Sequence, residues 1–234
     1  MCAAKNTEPT GPSFFSIIFC AIIVALLSGS LGFLYLSTYP PVLLSSENDL
    51  AKYLEAKDTS GSKPGDVYYF QGSTLRTRTW EVQRQKLLDE QIKSVVLSDG
   101  ELNAWFSAKF RPVAAPRGDD QPTFLILPAL PNIYISEKGI YISLPTDIIA
   151  FGETKKYTVF TKGHFTDSSP VKFVLDELYL NNSAIPSVGF IGQQIMGTLL
   201  KAYSGSDEFE ILGKAWDRVE SVDVLSNTLH LKLK

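Results

Sequence analysis

The sequence predicts an α+β protein in which an N-terminal transmembrane helix leads into an antiparallel β-meander domain packed with several helices. Three observations predict this class. Residues Phe14 to Leu36 carry no charge, and at ~1.5 Å per residue a helix of this length matches the roughly 30 Å hydrocarbon core of a bilayer. From Thr123 onward, long strand-forming runs are divided by the short turn signals Glu137-Lys138-Gly139, Gly152-Glu153-Thr154 and Asp167-Ser168-Ser169-Pro170, a pattern of consecutive antiparallel strands. Segments with helical spacing flank those strands on both sides. The chain therefore divides into a cytoplasmic tail (1–13), a transmembrane helix (14–36), a juxtamembrane helical and linker region (37–93) and an extracytoplasmic α+β domain (94–234).

Aromatic residues bracket the span, Phe14 and Phe15 at its start and Tyr35 and Tyr39 at its end, and Pro40-Pro41 stop the helix. Before the span stands Lys5, offset by Glu8; after it no Lys or Arg occurs until Lys52. Positive charge close to the membrane thus favours an N-terminus in the cytoplasm and a C-terminal bulk outside it, in a single-pass protein of the cell membrane. Ser28-Gly29-Ser30 also offers small residues to a signal peptidase, but apolar sequence resumes from Leu31 to Leu36, longer than a cleaved leader requires. Cys20 follows Ile17-Ile18-Phe19, too bulky for a lipoprotein signal. Ala21, Ala25 and Gly29 recur every four residues; such spacing lets two helices approach closely and makes a homodimer through the span a candidate.

Beyond the span, Ser46 with Asp49 and the face Leu50, Tyr53, Leu54 predicts a helix over 47–57. A break over 58–66 precedes a short strand at Val67-Tyr68-Tyr69-Phe70, and Thr79 is placed to cap a polar helix through Gln91 that buries Trp80, Leu87 and Leu88. Ser98-Asp99-Gly100-Glu101 is a capping box, in which Ser and the Glu three residues later satisfy each other's backbone N–H groups. It opens a helix with Leu102, Trp105 and Phe106 toward the core. Residues 111–122 read as an exposed loop. Strands follow over 133–136, 140–150, 156–166 and 171–181; in the third, Tyr157, Val159, Thr161 and Phe165 alternate with Lys156, Thr158, Lys162 and His164, so His164 falls on the wet face. A helix over 187–203 carries the apolar stripe Val188, Ile191, Ile195, Leu199, Tyr203. A last helix over 207–218 leads to a hairpin of strands 221–225 and 228–233 turning at Ser226-Asn227.

Composition narrows the function. The formal net charge is −3 and no basic stripe interleaves with aromatics, which argues against nucleic acid as a partner. The two cysteines, Cys2 and Cys20, lie before and within the span, so the domain holds neither a disulfide framework nor a cysteine metal site.

The succession of a span, LSDGELNAWF, ISEKGIYISLPTDIIAFGETKKYTVF, NNSAIP before a helix, and VDVLSNTLHLKLK resembles the YpmS-like proteins of bacteria. That resemblance covers roughly 94–234, and its most specific piece is Leu97-Ser98 with Glu101-Leu102-Asn103. It implies a single-pass, extracytoplasmic protein; residues 39–93 are longer than the counterpart it implies. A helix held against a bent antiparallel sheet is also similar, by fold analogy, to the tubular lipid-binding domains.

Candidate chemistry is sparse. The histidines are His164 and His230 alone, and GxSxG, HExxH, P-loop and GxGxxG patterns are absent. Ser169 to Lys172 fits S-x-x-K but sits in a turn entering a strand, where a helix start is wanted. Asp119-Asp120 supply too few oxygens for calcium, and Glu101 has its capping role. Asn103 has no such explanation. No catalytic residue, metal or cofactor is therefore expected, and the protein reads as non-enzymatic. The functional signal is apolar surface: Phe124 to Leu127 and Ile133 to Ile135 are apolar on both faces, and the 187–203 helix is broadly hydrophobic. An apolar groove of Trp105, Phe124, Ile126, Ile135, Ile191, Ile195 and Leu199 is expected to take a lipid or another amphipathic envelope ligand. The alternative is a scaffold that contacts envelope proteins, in part through Ala21, Ala25 and Gly29.

Overall fold

The computed structural model describes residues 13–56, 66–112, 123–167, 170–186 and 190–234, without the side chains of Phe190 and Ile191. The break over 58–66 (Asp66 apart), Asp119-Asp120, Ser168-Ser169 and the predicted helix start at Ser187 lie outside these residues. In chain order the elements are α1 (Phe14–Ser37), β1 (Val42–Leu44), α2 (Glu47–Ala56), β2 (Tyr68–Phe70), α3 (Thr79–Leu88), β3 (Ser94–Ser98), α4 (Asp99–Lys109), β4 (Phe124–Pro128), β5 (Asn132–Ser136), β6 (Gly139–Ala150), β7 (Glu153–Phe165), β8 (Phe173–Leu180), β9 (Ser183–Ile185), α5 (Phe190–Lys201), α6 (Asp207–Trp216), β10 (Val219–Leu225) and β11 (Thr228–Leu233). The protein is α+β: an apolar N-terminal helix, then antiparallel sheets with several helices, no sheet closing on itself.

Strands β6 to β9 pair in succession as an antiparallel meander. The free side of β6 is shared, β5 pairing with residues 139–143 and β4 with residues 146–150. Pro145 marks the change of partner. Lacking an N–H it offers the edge only its carbonyl, which accepts from Ala129 N at 2.7 Å. A second sheet, in the order β10-β11-β3, joins the C-terminal hairpin to the strand before α4. The hairpin turns through Ser226 and Asn227, both at positive φ (50° and 63°), the geometry a two-residue turn needs to follow the strand twist.

The two faces of the large sheet have different covers. On one, β2 lies across the strands: Tyr69 stacks on Phe160, Phe160 on Tyr179 and Phe70 on Tyr134, while Phe70 meets Tyr141 edge to face. On the other, Ile133, Ile135, Ile140, Leu144, Val159 and Leu178 belong to one core with α3, α4, α5 and α6. His164 lies on the first face, where Nδ1 meets the Asp176 carboxylate at 3.0 Å in an exposed pair. His230 meets the Thr228 hydroxyl through Nε2 at 3.0 Å.

Several local expectations are corrected. Helix α3 starts at Thr79 with Arg78 at the cap position and ends at Leu88, because Asp89 turns extended and its carboxylate accepts Gln91 N at 2.9 Å. Leu88 is 38% exposed. Helix α6 ends at Trp216, before Arg218, whose guanidinium donates to the Leu87, Asp89 and Ile92 carbonyls and joins the end of α3 to β10. Strand β8 starts at Phe173, since the Val171 carbonyl accepts the Trp216 indole N–H at 3.1 Å instead. Strand β3 is unforeseen. The capping box forms as read: Ser98 Oγ accepts Glu101 N at 3.2 Å and Glu101 Oε2 accepts Ser98 N at 3.0 Å.

Helix α1 is long and apolar enough to cross a membrane, and almost all of it is exposed. Its last turn, however, is fastened to the domain. Asn181 Nδ2 donates to the Ser37 carbonyl at 2.7 Å and Ser183 Oγ to the Phe33 carbonyl at 2.5 Å. The first satisfies one of the carbonyls that a helix end leaves open, and the second adds a bond to a carbonyl one turn back.

Candidate ligand-binding site

Between the large sheet and the helices lies a cleft of about 1030 Å³, at the upper end of the ~300–1,000 Å³ usual for small-molecule sites. Its floor is Ile133 with Ile140, Ile142 and Leu144; α4 contributes Leu102, Trp105 and Phe106, α6 contributes Phe209, Leu212 and Trp216, and the start of β8 contributes Phe173 and Leu175. The alternation of β6 accounts for the floor: even-numbered residues face the cleft and odd-numbered Tyr141 faces β2. Helix α5 forms a wall with two distinct stripes. Met196 and Leu199, with Tyr203 just beyond the helix end, are buried, Met196 and Tyr203 also reaching the cleft; Gln193, Gly197 and Leu200 line it at i, i+4 and i+7 and remain exposed, Leu200 at 46%. An apolar side chain that lines a concavity yet stays open to solvent signifies space the protein leaves unfilled. Among the described residues, a Cβ added at Gly197 would meet nothing within 4 Å beyond its own helix.

The walls are held by buried polar contacts. Glu208 on α6, 5% exposed, accepts two bonds from Arg84 on α3, from Nε at 2.5 Å and Nη2 at 2.9 Å, and one from the Trp105 indole N–H at 2.8 Å. Burial works against the charge on Glu208, but the Arg84 and Trp105 donors outweigh it and hold the carboxyl below its ordinary range. Three helices are thereby locked around the Trp105 ring. Tyr203 adds a clasp, its hydroxyl donating to the Ala129 carbonyl; burial pushes its ionisation well above the usual tyrosine range. The polar lining is small and includes Thr166, Lys172 and Gln193. No group of three His, Cys, Asp or Glu side chains gathers among the described residues as a metal ion requires.

Compared with known protein families, curated proteins and solved structures, the chain finds no match.

The residues singled out from sequence distribute as follows. Trp105 lines the cleft. Ile135 and Leu199 are buried in the core around it, and Ile126 and Ile195 are half-buried against that core. Phe124 is 59% exposed at the far end of β4. The Ile191 side chain lies outside the described residues. Ala21, Ala25 and Gly29 are exposed on α1. Sequence reading missed Arg84 and Glu208, whose separation leaves no local signal, and the cleft stripe of α5, whose Gln193 and Gly197 look polar or weak as helix residues.

Proposed function

We propose that this is a membrane-anchored, extracytoplasmic binding protein that holds the apolar part of a lipid or similar amphipathic molecule between its large sheet and α4–α6. The observation that carries the reading is the open apolar cleft with exposed Leu200 and Phe209 on its walls. A core packed for stability alone buries such side chains. The few polar groups, Lys172, Thr166 and Gln193, suit an amphipathic ligand that enters by its chain. Placement outside the cytoplasm rests on the basic residue before α1 and the absence of any immediately after it. The YpmS-like resemblance points to the same address.

Trp105 and Trp216 both line the cleft and serve as built-in donors. In the full chain held in nanodiscs, a conjugated-polyene fatty acid bound there quenches indole emission saturably, with one site per chain. Quenching that rises without saturation as the probe dissolves in the bilayer contradicts the reading.

A second reading, a scaffold for envelope proteins, draws on the outward-facing Ala21, Ala25 and Gly29 of α1, where, among the described residues, no other part of the protein lies within 4 Å of a Cβ at Gly29. Gly29→Leu leaves the protein's own fold untouched and abolishes helix-mediated association under that reading. Unchanged cross-linking through the span speaks against it.

A further inference from the structure

The sheet extends unevenly at the end that holds α1. Strand β8 stops at Leu180, and Asn181, paired with Thr158 on one side, grips the Ser37 carbonyl on the other. The β6–β7 hairpin does not stop there. Its register continues from Pro145–Thr158 to Ala150–Glu153, which at ~3.3 Å per residue carries it roughly 17 Å past the docking point. Strand β4 pairs along this extension only, and Phe151 N donates to the Thr123 carbonyl at 2.9 Å, so the extension is a three-stranded tongue tied together to its tip.

The tip is chemically odd for a surface turn. Phe151 occupies the first of two positive-φ positions (51°, then 81° at Gly152) and is 88% exposed. Turns of this kind favour Asn, Asp or Gly at that position, and a bulky residue in the left-handed region is unusual enough to require a reason. Phe124, 59% exposed, faces the same end across β6, with Ile148 and Ile149 half-buried behind the tip. On the β7 side Lys155 and Lys156 are exposed, and neither forms an ion pair among the described residues. An aromatic tip with lysines set back from it is the arrangement of an interfacial membrane contact, rings among the acyl chains and ammonium groups at the phosphates.

We infer that the β6–β7 tongue dips its tip, Phe151 with Phe124, into the surface of the bilayer that α1 crosses. This rests on α1 being a span. Two points, the helix and the tongue, then fix how the domain stands on the membrane, where the fastened helix alone leaves it free to turn about the helix axis and to tilt with it.

The test uses the full chain in vesicles of phosphatidylcholine and phosphatidylglycerol, carrying Phe151→Trp, with the wild-type emission of Trp80, Trp105 and Trp216 subtracted. The added indole emission is quenched by lipids brominated near the headgroup and shielded from aqueous acrylamide. Quenching by acrylamide with no response to brominated lipid, in a chain that resists alkaline carbonate extraction, overturns the tongue proposal and leaves the span standing. Release of the chain by carbonate overturns the span and the tongue with it.

Discussion

The Asn103 carboxamide pairs with the backbone of Ile133 through both ends. Its Oδ1 accepts the Ile133 N–H at 2.7 Å and its Nδ2 donates to the Ile133 carbonyl at 2.8 Å, with a second Nδ2 bond to the Ser73 carbonyl at 2.7 Å. A side chain on α4 thus acts as the missing neighbour strand of β5. The chain crosses at the same point, where Gly72 N donates to Asn132 Oδ1 at 2.8 Å and Asn132 Nδ2 to the Gly72 carbonyl at 3.0 Å. Helix α4, the β2–α3 connection and the large sheet meet in this one polar knot beneath the cleft.

Asn103→Ala is expected to cost about 2–4 kcal/mol. Asn103 is 2% exposed, and truncation leaves the buried Ile133 N–H and carbonyl without their partners, the Ser73 carbonyl lying nearer the surface. Asn103→Asp keeps the acceptor but sets a carboxylate against the Ile133 and Ser73 carbonyls, so it is no milder at neutral pH. Chemical denaturation of the two variants beside wild type checks both.

Gly72→Ala and Gly197→Ala are expected to move stability in opposite directions. At Gly72 the new methyl would stand 1.8 Å from the Ile133 carbonyl oxygen, and the resulting shift of β5 costs about 1–3 kcal/mol or more. At Gly197 the methyl enters open space on a helix and gains up to ~1 kcal/mol of helix propensity. Paired thermal melts give the two signs directly.

Glu208 makes part of the stability depend on acid. Its folded-state ionisation lies below the ordinary value of 4.5, so its contribution is complete above that pH and disappears as the pH falls through the lower, folded value. Asp99 acts the other way: burial raises its ionisation against the Gly100 and Ser73 donors, and the folded state gains from its protonation. The comparison of Glu208→Gln with wild type isolates the first effect. Near pH 7 the variant is less stable by about 2 kcal/mol, below the ~3–5 kcal/mol of a fully buried broken pair because Arg84 is partly solvated; the gap closes below pH ~4.5. A gap that stays constant across the acid range contradicts this account.

Local sequence carried the α+β class, the meander and the α4 capping box, because each is written in neighbouring residues: alternation in β7, turn chemistry at 137–139, and the Ser98–Glu101 pair. It did not carry what depends on distant partners. Strand β3 exists by pairing with β11, and Ser94 to Ser98 hold no turn signal to announce it. Asn103 has no local explanation in the sequence because its partners, Ser73 and Ile133, lie on other segments of the chain. The apolar stretches point to a cleft, yet its open wall is the Gln193, Gly197 and Leu200 stripe, which runs beside the buried stripe of the same helix and is not an apolar stripe in sequence. Apolarity alone groups Phe124 with the groove; the tongue that carries it is visible only in the register of β4 on the end of β6.

The most direct measurement is native mass spectrometry of the full chain released from lipid nanodiscs, wild type beside Gly197→Phe. The added ring projects into the cleft from a position where, among the described residues, a Cβ meets nothing within 4 Å beyond its own helix, and Phe forms helix better than Gly, so the fold is retained while the space is filled. The account predicts one retained lipid-sized ligand on wild type at activation energies that strip the lipids around α1, and its loss from an equally stable variant. Identical lipid retention by the two proteins would contradict it.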